Sequence, residues 1–473
     1  LLFNSLTFVA FFAIVLGLHW APWGSWRLKK QQLLVASYVF YAAWNPPFVV
    51  LLWISTVLDW VVAKRIHAAN GVARRRAWLL ASLGGNLGIL GYFKYGEFLL
   101  ENWVALAGKL GIAWQAPSWD IVLPVGISFY TFQTMAYSLD VYLRRAEPAK
   151  SLLDFSLFVT FFPQLVAGPI VRPTDLIPQF AEKPAPLPGR FLWGLSLMVL
   201  GMFEKIVIAD GALAPASDAV FGTKETVAWT DAWLGTLAFS GQIFCDFAGY
   251  STTAIGASLV LGFSLPDNFR YPYAAVGFSD FWRRWHLSLS TWLRDYLYVP
   301  LGGNRKGPGR TYANLMLTML LGGLWHGASW TFVVWGGLHG TYLGVERFLR
   351  ERVGPNRISR SLPFQIALAM FTYFLVNLTW VFFRAREFDT AWRMIGSMLT
   401  FADGAKVLTT AAIVLVAVPV FGILLIHGLM RERRIEDVVE AAPWWVTALV
   451  VGGMLFVTMI TQGSDDAFIY FQF

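Results

Sequence analysis

An all-α, polytopic membrane fold is what this sequence predicts, on three observations. The chain is 56% hydrophobic and only 14% charged, where water-soluble proteins carry about a quarter charged residues. It holds 39 Phe, 23 Trp and 16 Tyr. Apolar runs recur almost end to end, and because a helix needs roughly 20 apolar residues to cross the hydrocarbon, they amount to about ten to twelve spanning segments. No room is left for a large soluble part, so residues 1–473 read as a single integral membrane domain.

Taken in order, the first span covers about residues 6–18. The stretch LLFNSLTFVAFFAIVLGLHW has no basic region ahead of its apolar run and no small-residue cleavage site, so it reads as a retained helix. Arg27, Lys29 and Lys30 follow, and basic loops face the cytoplasm, which puts the N-terminus outside. A hairpin of residues 33–44 and 48–62 flanks Asn45-Pro46-Pro47, where proline's missing amide hydrogen breaks a helix. Residues 64–76 are basic again. The span at 78–95 leads into a more polar stretch with Glu97, Glu101 and Lys109, and residues 121–142 return to Arg144 and Arg145. Three basic loops thus fall on one side.

Residues 157–171 contain Pro163, Gly168 and Pro169 and predict a broken or re-entrant segment, which is tolerated at membrane depth only inside protein or against a wet cavity. Later spans are expected at 191–208, 233–247, 315–334, 364–382, 409–429 and 444–460. Between them, residues 271–310 are too polar for lipid and too aromatic for a simple loop. They read as amphipathic helices near the cytoplasmic face.

The net charge of +8 belongs to the basic loops rather than to a nucleic-acid surface, because the clusters at 27–30, 74–76 and 144–145 lie between apolar runs. Cys245 is the only cysteine. It permits no intrachain disulfide and no cysteine metal cage, and a lone buried cysteine is more simply a small hydrophobe than an acyl carrier. There is no HExxH pair for a metal, no GxSxG elbow and no P-loop. No internal repeat is visible, unlike the repeated halves common in secondary transporters.

The six histidines divide into two groups. His19, His67 and His427 lie near helix ends or basic loops, where an interfacial position needs no chemistry. His326 lies inside the apolar run LMLTMLLGGLWHGASWTFVV, and ionisable groups at that depth usually mark a binding, transport or reaction site. Gly322, Gly323 and Gly327 let other backbone or a ligand approach, and Ser329 and Trp330 at i+3 and i+4 would share a helical face with it, beside Trp325. Burial disfavours the imidazolium, so His326 is expected to be neutral and able to accept a proton, as a general base must. A structural histidine bonded to a carbonyl is the alternative. His286 is a candidate for binding a substrate carbonyl or positioning the base, and it could equally sit at the interface beside Arg283 and Arg284. His339 lies 13 residues beyond His326, roughly 20 Å along a continuous helix, and is too far to share one proton transfer unless the glycines break that helix. The region 283–310, with Arg283, Arg284, Arg294, Asp295, Asn304 and Arg305, could hold the phosphates of a nucleotide-bearing donor, and ordinary anchoring at the cytoplasmic face is the alternative.

These motifs carry a resemblance. FWRRWHLSLSTWLRDYLY at 281–298, LGGNR at 301–305 and GGLWHG at 322–327 closely resemble membrane-bound O-acyltransferases (MBOAT), and within them the bacterial alginate O-acetylase-like branch. LPVGISFYTFQ at 123–133, FFPQLVAGPI at 161–170 and the closing FIYFQF at 468–473 extend the resemblance over nearly the whole chain. One departure is Thr252, which stands where the family often has Asp in DFSGYSDMAIG.

The resemblance implies a ring of about ten to twelve transmembrane helices with re-entrant and amphipathic helices around a thinned centre, and a tunnel from a cytosolic donor pocket to an extracytoplasmic acceptor site. It carries the catalytic position to His326 and the second polar position to His286. The implied activity moves an acetyl group from acetyl-CoA, with no bound cofactor or metal, to a hydroxyl of an exopolysaccharide or of a periplasmic SGNH-type partner acetyltransferase. The implied setting is the bacterial inner membrane. Two other readings stand beside it: transfer of D-alanine from a carrier protein to a cell-wall polymer, and a transporter whose intramembrane histidines relay protons.

Overall fold

A computed structural model describes residues 3–114, 121–354 and 361–461; the closing motif at 468–473 lies outside the described residues. Among these residues the chain is helical with no β-strand, apart from one isolated bridge between Val227 and Ala405. Six described helices are long and apolar enough to cross a membrane: Pro46–Ala68, Pro188–Gly222, Trp229–Val260, Leu362–Arg384, Thr410–Met430 and Trp444–Thr461. This is fewer than the ten to twelve expected, because several expected spans are helices that are shorter or more polar than these six. The chain divides into two compact units, Leu1–Leu195 with Ala254–Pro266, and Ser196–Thr253 with Asp267–Phe473.

In the first unit, Ser5 caps α1 (Leu6–Trp20) by accepting from the Phe8 N–H at 3.1 Å, and Ser25 caps α2 (Trp26–Ala42) in the same way. The expected basic loop at 27–30 is therefore the first turn of a helix. Lys29 and Lys30 are buried there because their ammonium groups find partners, the Leu18 carbonyl at 2.5 Å and the Asp154 carboxylate at 2.5 Å. Pro46 and Pro47 end the helical run as expected and start a 3-10 turn before α3 (Val49–Ala68).

The span expected at 78–95 and the polar stretch beyond it form one helix, α4 (Val72–Lys109). Its 38 residues reach roughly 57 Å, well past the hydrocarbon, so Glu97, Glu101 and Lys109 are helical without having to lie in lipid. A buried polar knot ties α3 and α4 to α5 (Ile127–Tyr142). The Asp59 carboxylate accepts from Ser82 at 2.5 Å, Ser138 at 2.6 Å and Asn86 at 2.7 Å. The segment expected to be broken is broken: α6 (Leu152–Thr160) gives way to the short α7 (Phe162–Leu165), and residues 155–171 are buried throughout. The small helix α8 (Pro173–Leu176) follows.

Helix α9 (Pro188–Met202) runs into a π-helix, Phe203–Leu213, and then α10 (Ala214–Gly222). In the second unit Gly201 of α9 meets Gly249 of α11 (Trp229–Val260). A Cβ on either glycine would strike the other's carbonyl oxygen, so the backbones touch as small-residue helix crossings allow. The π-helix brings Lys205 and Asp210, five apart, to the same side. Lys205 bonds Asp210 at 2.9 Å and also pairs with Asp246 of α11, all three largely buried.

Residues 271–310 are indeed short helical pieces, including α12 (Phe278–Phe281) and α13 (Leu287–Leu293). They lead to α14 (Pro308–His326), α15 (Trp330–Val353), α16 (Leu362–Arg384), α17 (Phe388–Thr400), α18 (Thr410–Met430), α19 (Ile435–Ala441) and α20 (Trp444–Thr461). Leu449, Phe456, Met459 and Ile460 of α20 are all more than half exposed, as suits side chains solvated by lipid tails.

Candidate active site

The apolar run around His326 is two helices rather than one. Helix α14 stops at His326, Gly327 is extended at φ −160°, and Ser329 caps α15 through the Thr331 N–H at 3.3 Å. The chain then folds back. Gly323 lies against Gly336 with a built Cβ only 3.1 Å from the facing Cα, and Gly340 lies against Met316, which fixes the two helices as antiparallel. Of the glycines expected to admit backbone or a ligand, Gly323 admits the α15 backbone, while Gly322 faces the Leu293 side chain and Gly327 leaves space taken by the Phe332 ring.

This break corrects the expected pocket wall. Ser329 and Trp330 do not share a helical face with His326, because the helix ends before them. Ser329 acts as a cap, and Trp330 is 52% exposed. The same turn brings His339 back towards His326. Trp335 packs on both rings, with centroids at 5.0 Å from His326 and 4.7 Å from His339. His339 bonds the Thr379 hydroxyl at 3.0 Å.

His326 is buried in an aromatic cage. Its ring lies 5.1 Å from Trp325, 5.0 Å from Trp335 and 5.3 Å from Phe383. His286, fully buried, is 6.4 Å away and shares the contact with Trp325 at 5.8 Å, while Phe247 covers its other side at 4.5 Å. His286 lies outside the six spanning helices, at the start of α13, in the left-handed conformation with φ +43°. A non-glycine residue there stores backbone strain that its surroundings must hold. Burial pushes its imidazole down to about 3, so it is neutral at physiological pH.

The expected donor-binding residues divide. Arg283, Arg294, Asn304 and Arg305 are exposed. Arg294 pairs with Asp295 at 2.7 Å. Arg284 is instead held in an ion-pair cluster, bonding Asp280 at 3.1 Å and Glu432 at 3.0 Å, with Arg431 also on Asp280 at 2.8 Å. Burial pushes the Asp280 carboxyl up, but the Arg431 hydrogen bond, the Val276 N–H and the charges of Arg284 and Arg431 outweigh it and hold the group below its ordinary value. Cys245 is buried in α11. His19 and His427 are buried and bonded to backbone, at Leu261 and Tyr273, and His67 is exposed beside Glu147, so none of the three needs chemistry to explain it. Among the described residues no three His, Cys, Asp or Glu side chains group as metal ligands.

Trp335, Phe383 and Asn268 belong to this constellation and were not singled out from sequence. Nothing in the spacing of Asn268 or Phe383 connects them to histidines 18 and 57 residues away. Two imidazoles 6.4 Å apart in an apolar cage can take a proton from a hydroxyl and pass it on. The surrounding rings keep out the water that would hydrolyse a reactive ester.

Fold and cage together define a multi-pass, all-helical membrane protein with a buried histidine pair. The model of the MBOAT, membrane-bound O-acyltransferase, family matches residues 148–379, which contain both histidines. The chain is 44% identical over 406 residues to the probable alginate O-acetylase AlgI of Azotobacter vinelandii, covering 85% of this chain and 79% of that protein. It is 38% identical over 398 residues to the peptidoglycan O-acetyltransferase of Helicobacter pylori, covering 78% and 73%. A teichoic acid D-alanyltransferase of Bacillus subtilis is 28% identical over 253 residues, 50% of this chain and 62% of that one. The chain belongs to the membrane-bound O-acyltransferase family and is an O-acyltransferase, most like its alginate O-acetylase branch among these relatives.

Proposed function

We propose that the chain transfers an acetyl group from cytosolic acetyl-CoA, through the inner membrane, to a hydroxyl on the periplasmic side. The acceptor is an exopolysaccharide hydroxyl or the serine of a periplasmic SGNH-type partner. The observation that carries this reading is the caged pair of His326 and His286, 6.4 Å apart, on the two motifs that resemble this family. His326 takes the proton as the hydroxyl oxygen attacks the thioester carbonyl. The C–O bond forms, the C–S bond breaks, and the proton goes to the departing thiolate, leaving CoA and an acetyl ester. His286 helps bind or polarise the reacting groups. A general base contributes typically ~10²- to 10⁴-fold, and confining donor and acceptor together supplies much of the rest. Arg283, Arg294 and Arg305 are the cations available to the donor's phosphates.

Similarity to acetyl-transferring relatives over most of the chain, against half for the D-alanyltransferase, favours acetyl over D-alanyl transfer. The test is radiolabelled acetyl-CoA supplied to membranes with and without alginate. His326→Ala should lower acetyl transfer by about 10²-fold or more with the protein still folded. Near wild-type turnover in that variant would sink the assignment, and label crossing the membrane without CoA release would favour a transporter.

A further inference from the structure

Asn268 grips the segment that carries His286 from two directions. Its backbone carbonyl accepts from the Leu287 N–H at 2.9 Å. Its side-chain oxygen Oδ1 accepts from the Ser288 N–H at 3.2 Å and the Ser288 hydroxyl at 2.9 Å, and lies 3.1 Å from His286 Nδ1. At the other end its amide nitrogen donates to Ser251 of α11 at 3.1 Å. Asn268 and His286 are both buried, at 1% and 0% exposure.

This geometry fixes two assignments that are otherwise ambiguous. The Ser288 backbone N–H can only donate, so the Asn268 atom facing it is the oxygen, which settles the amide orientation. The Ser288 hydroxyl, 3.4 Å from His286 Nδ1 but 2.9 Å from Asn268 Oδ1, gives its hydrogen to Oδ1, so only an accepting oxygen faces Nδ1 closely and that nitrogen carries the hydrogen. In a neutral imidazole the lone pair must then be on Nε2. The left-handed backbone at His286 is held by the same contacts. Without them the residue would pay for its positive φ with nothing to fix it.

We infer that Asn268 is a positioning residue for the transfer reaction: it locks His286 in the Nδ1–H tautomer, so that His286 meets the substrate as a hydrogen-bond acceptor, and it holds the strained turn that aims the ring. The inference rests on the reading that His286 takes part in catalysis. It refines that part: an acceptor nitrogen cannot bond the thioester carbonyl, and because the attacking hydroxyl has a single hydrogen, which His326 takes, it suits a neighbouring hydroxyl of the acceptor.

The test uses the full chain in membrane vesicles, with acetyl-CoA as donor and alginate oligosaccharides as acceptor, in a cycle of Asn268→Leu, His286→Ala and the double variant. Asn268→Asp, which keeps an acceptor oxygen towards Nδ1 and Ser288, is the conservative partner. The expected result is a fall in kcat of about 10- to 100-fold for Asn268→Leu, a fraction of what a general base contributes, with the KM for acetyl-CoA within about twofold and activity largely recovered in Asn268→Asp. The double variant should be no slower than His286→Ala alone, because residues acting as one unit are non-additive. The inference is overturned if Asn268→Leu keeps wild-type kcat, if losses multiply in the double variant, or if Asn268→Asp folds and is as slow as Asn268→Leu. A fully active His286→Ala counts instead against the reading of His286 itself. Should Asn268→Leu fail to fold, Asn268→Asp combined with His286→Ala completes the same cycle with the same criteria.

Discussion

Replacing Lys205 by Met tests how much of the second unit depends on one buried ammonium. Lys205 bonds Asp210 at 2.9 Å and touches Asp246, whose side chain is 1% exposed. Removing it leaves two carboxylates within roughly 6 Å of each other, where an effective dielectric of about 20 gives about 3 kcal/mol of repulsion. Stranding a buried charge by removing its partner typically costs about 3–5 kcal/mol. Such a loss should lower the melting temperature in detergent by about 3–5 °C. Because Phe247 follows Asp246 and packs on His286, transfer activity should fall as well. The triple variant Lys205→Met, Asp210→Asn, Asp246→Asn removes every charge while keeping most of the volume and should recover much of the stability. A melting temperature within a degree of wild type for Lys205→Met would refute the reasoning, since it would mean that water or another cation compensates the pair.

Gly336→Val inserts a side chain into the backbone contact with Met319 and Gly323; it should cost about 1–3 kcal/mol and lower transfer activity by displacing α14 and His326. Gly337→Ala, whose new Cβ would meet only Leu320 at 3.4 Å, should leave both measurements near wild type. The depressed Asp280 carboxyl adds stability that is present above its unfolded pKa of about 3.9 and is lost as pH falls through its lower folded value; Asp280→Asn should therefore flatten the acid limb of a melting-temperature profile below about pH 4. Combined Arg294→Ala and Arg305→Ala should raise the KM for acetyl-CoA several-fold with kcat little changed, measured by initial rates of CoA release.

The helix breaks that depend on a local chemical cause were legible in the sequence. Pro46-Pro47 and the Pro163–Pro169 stretch lack amide donors, and the chain is interrupted at both. The turn after His326 has only the weaker signals of Gly327 and the capping Ser329. Gly327 to Ser329 reads as a permissive stretch inside an apolar run, and that the Phe332 ring takes the space a Cβ at Gly327 would fill shows only once the chain has turned. Lys29 and Lys30 were misplaced for a related reason: the basic-loop rule assumes solvated amines, whereas these two are satisfied by a carbonyl and a carboxylate distant in sequence. The histidine of the catalytic proposal could be found from its cost in lipid. Asn268 could not, because an asparagine after Leu265-Pro266-Asp267 looks like turn chemistry until the residues it grips are seen.

The ending of α14 at His326 has an electrostatic side. Had the run been one continuous helix, the imidazole would sit midway along a row of peptide dipoles, where their fields largely cancel. In the last turn it lies instead at the carbonyl end, which carries roughly half a negative elementary charge. In a cage of indole and phenyl rings this is a fixed source of negative potential that needs no ionised side chain. A proton on His326 would be stabilised there by the backbone carbonyls, and any variant that lengthened α14 through Gly327 would withdraw that support and also carry Trp335 of α15 away from the ring.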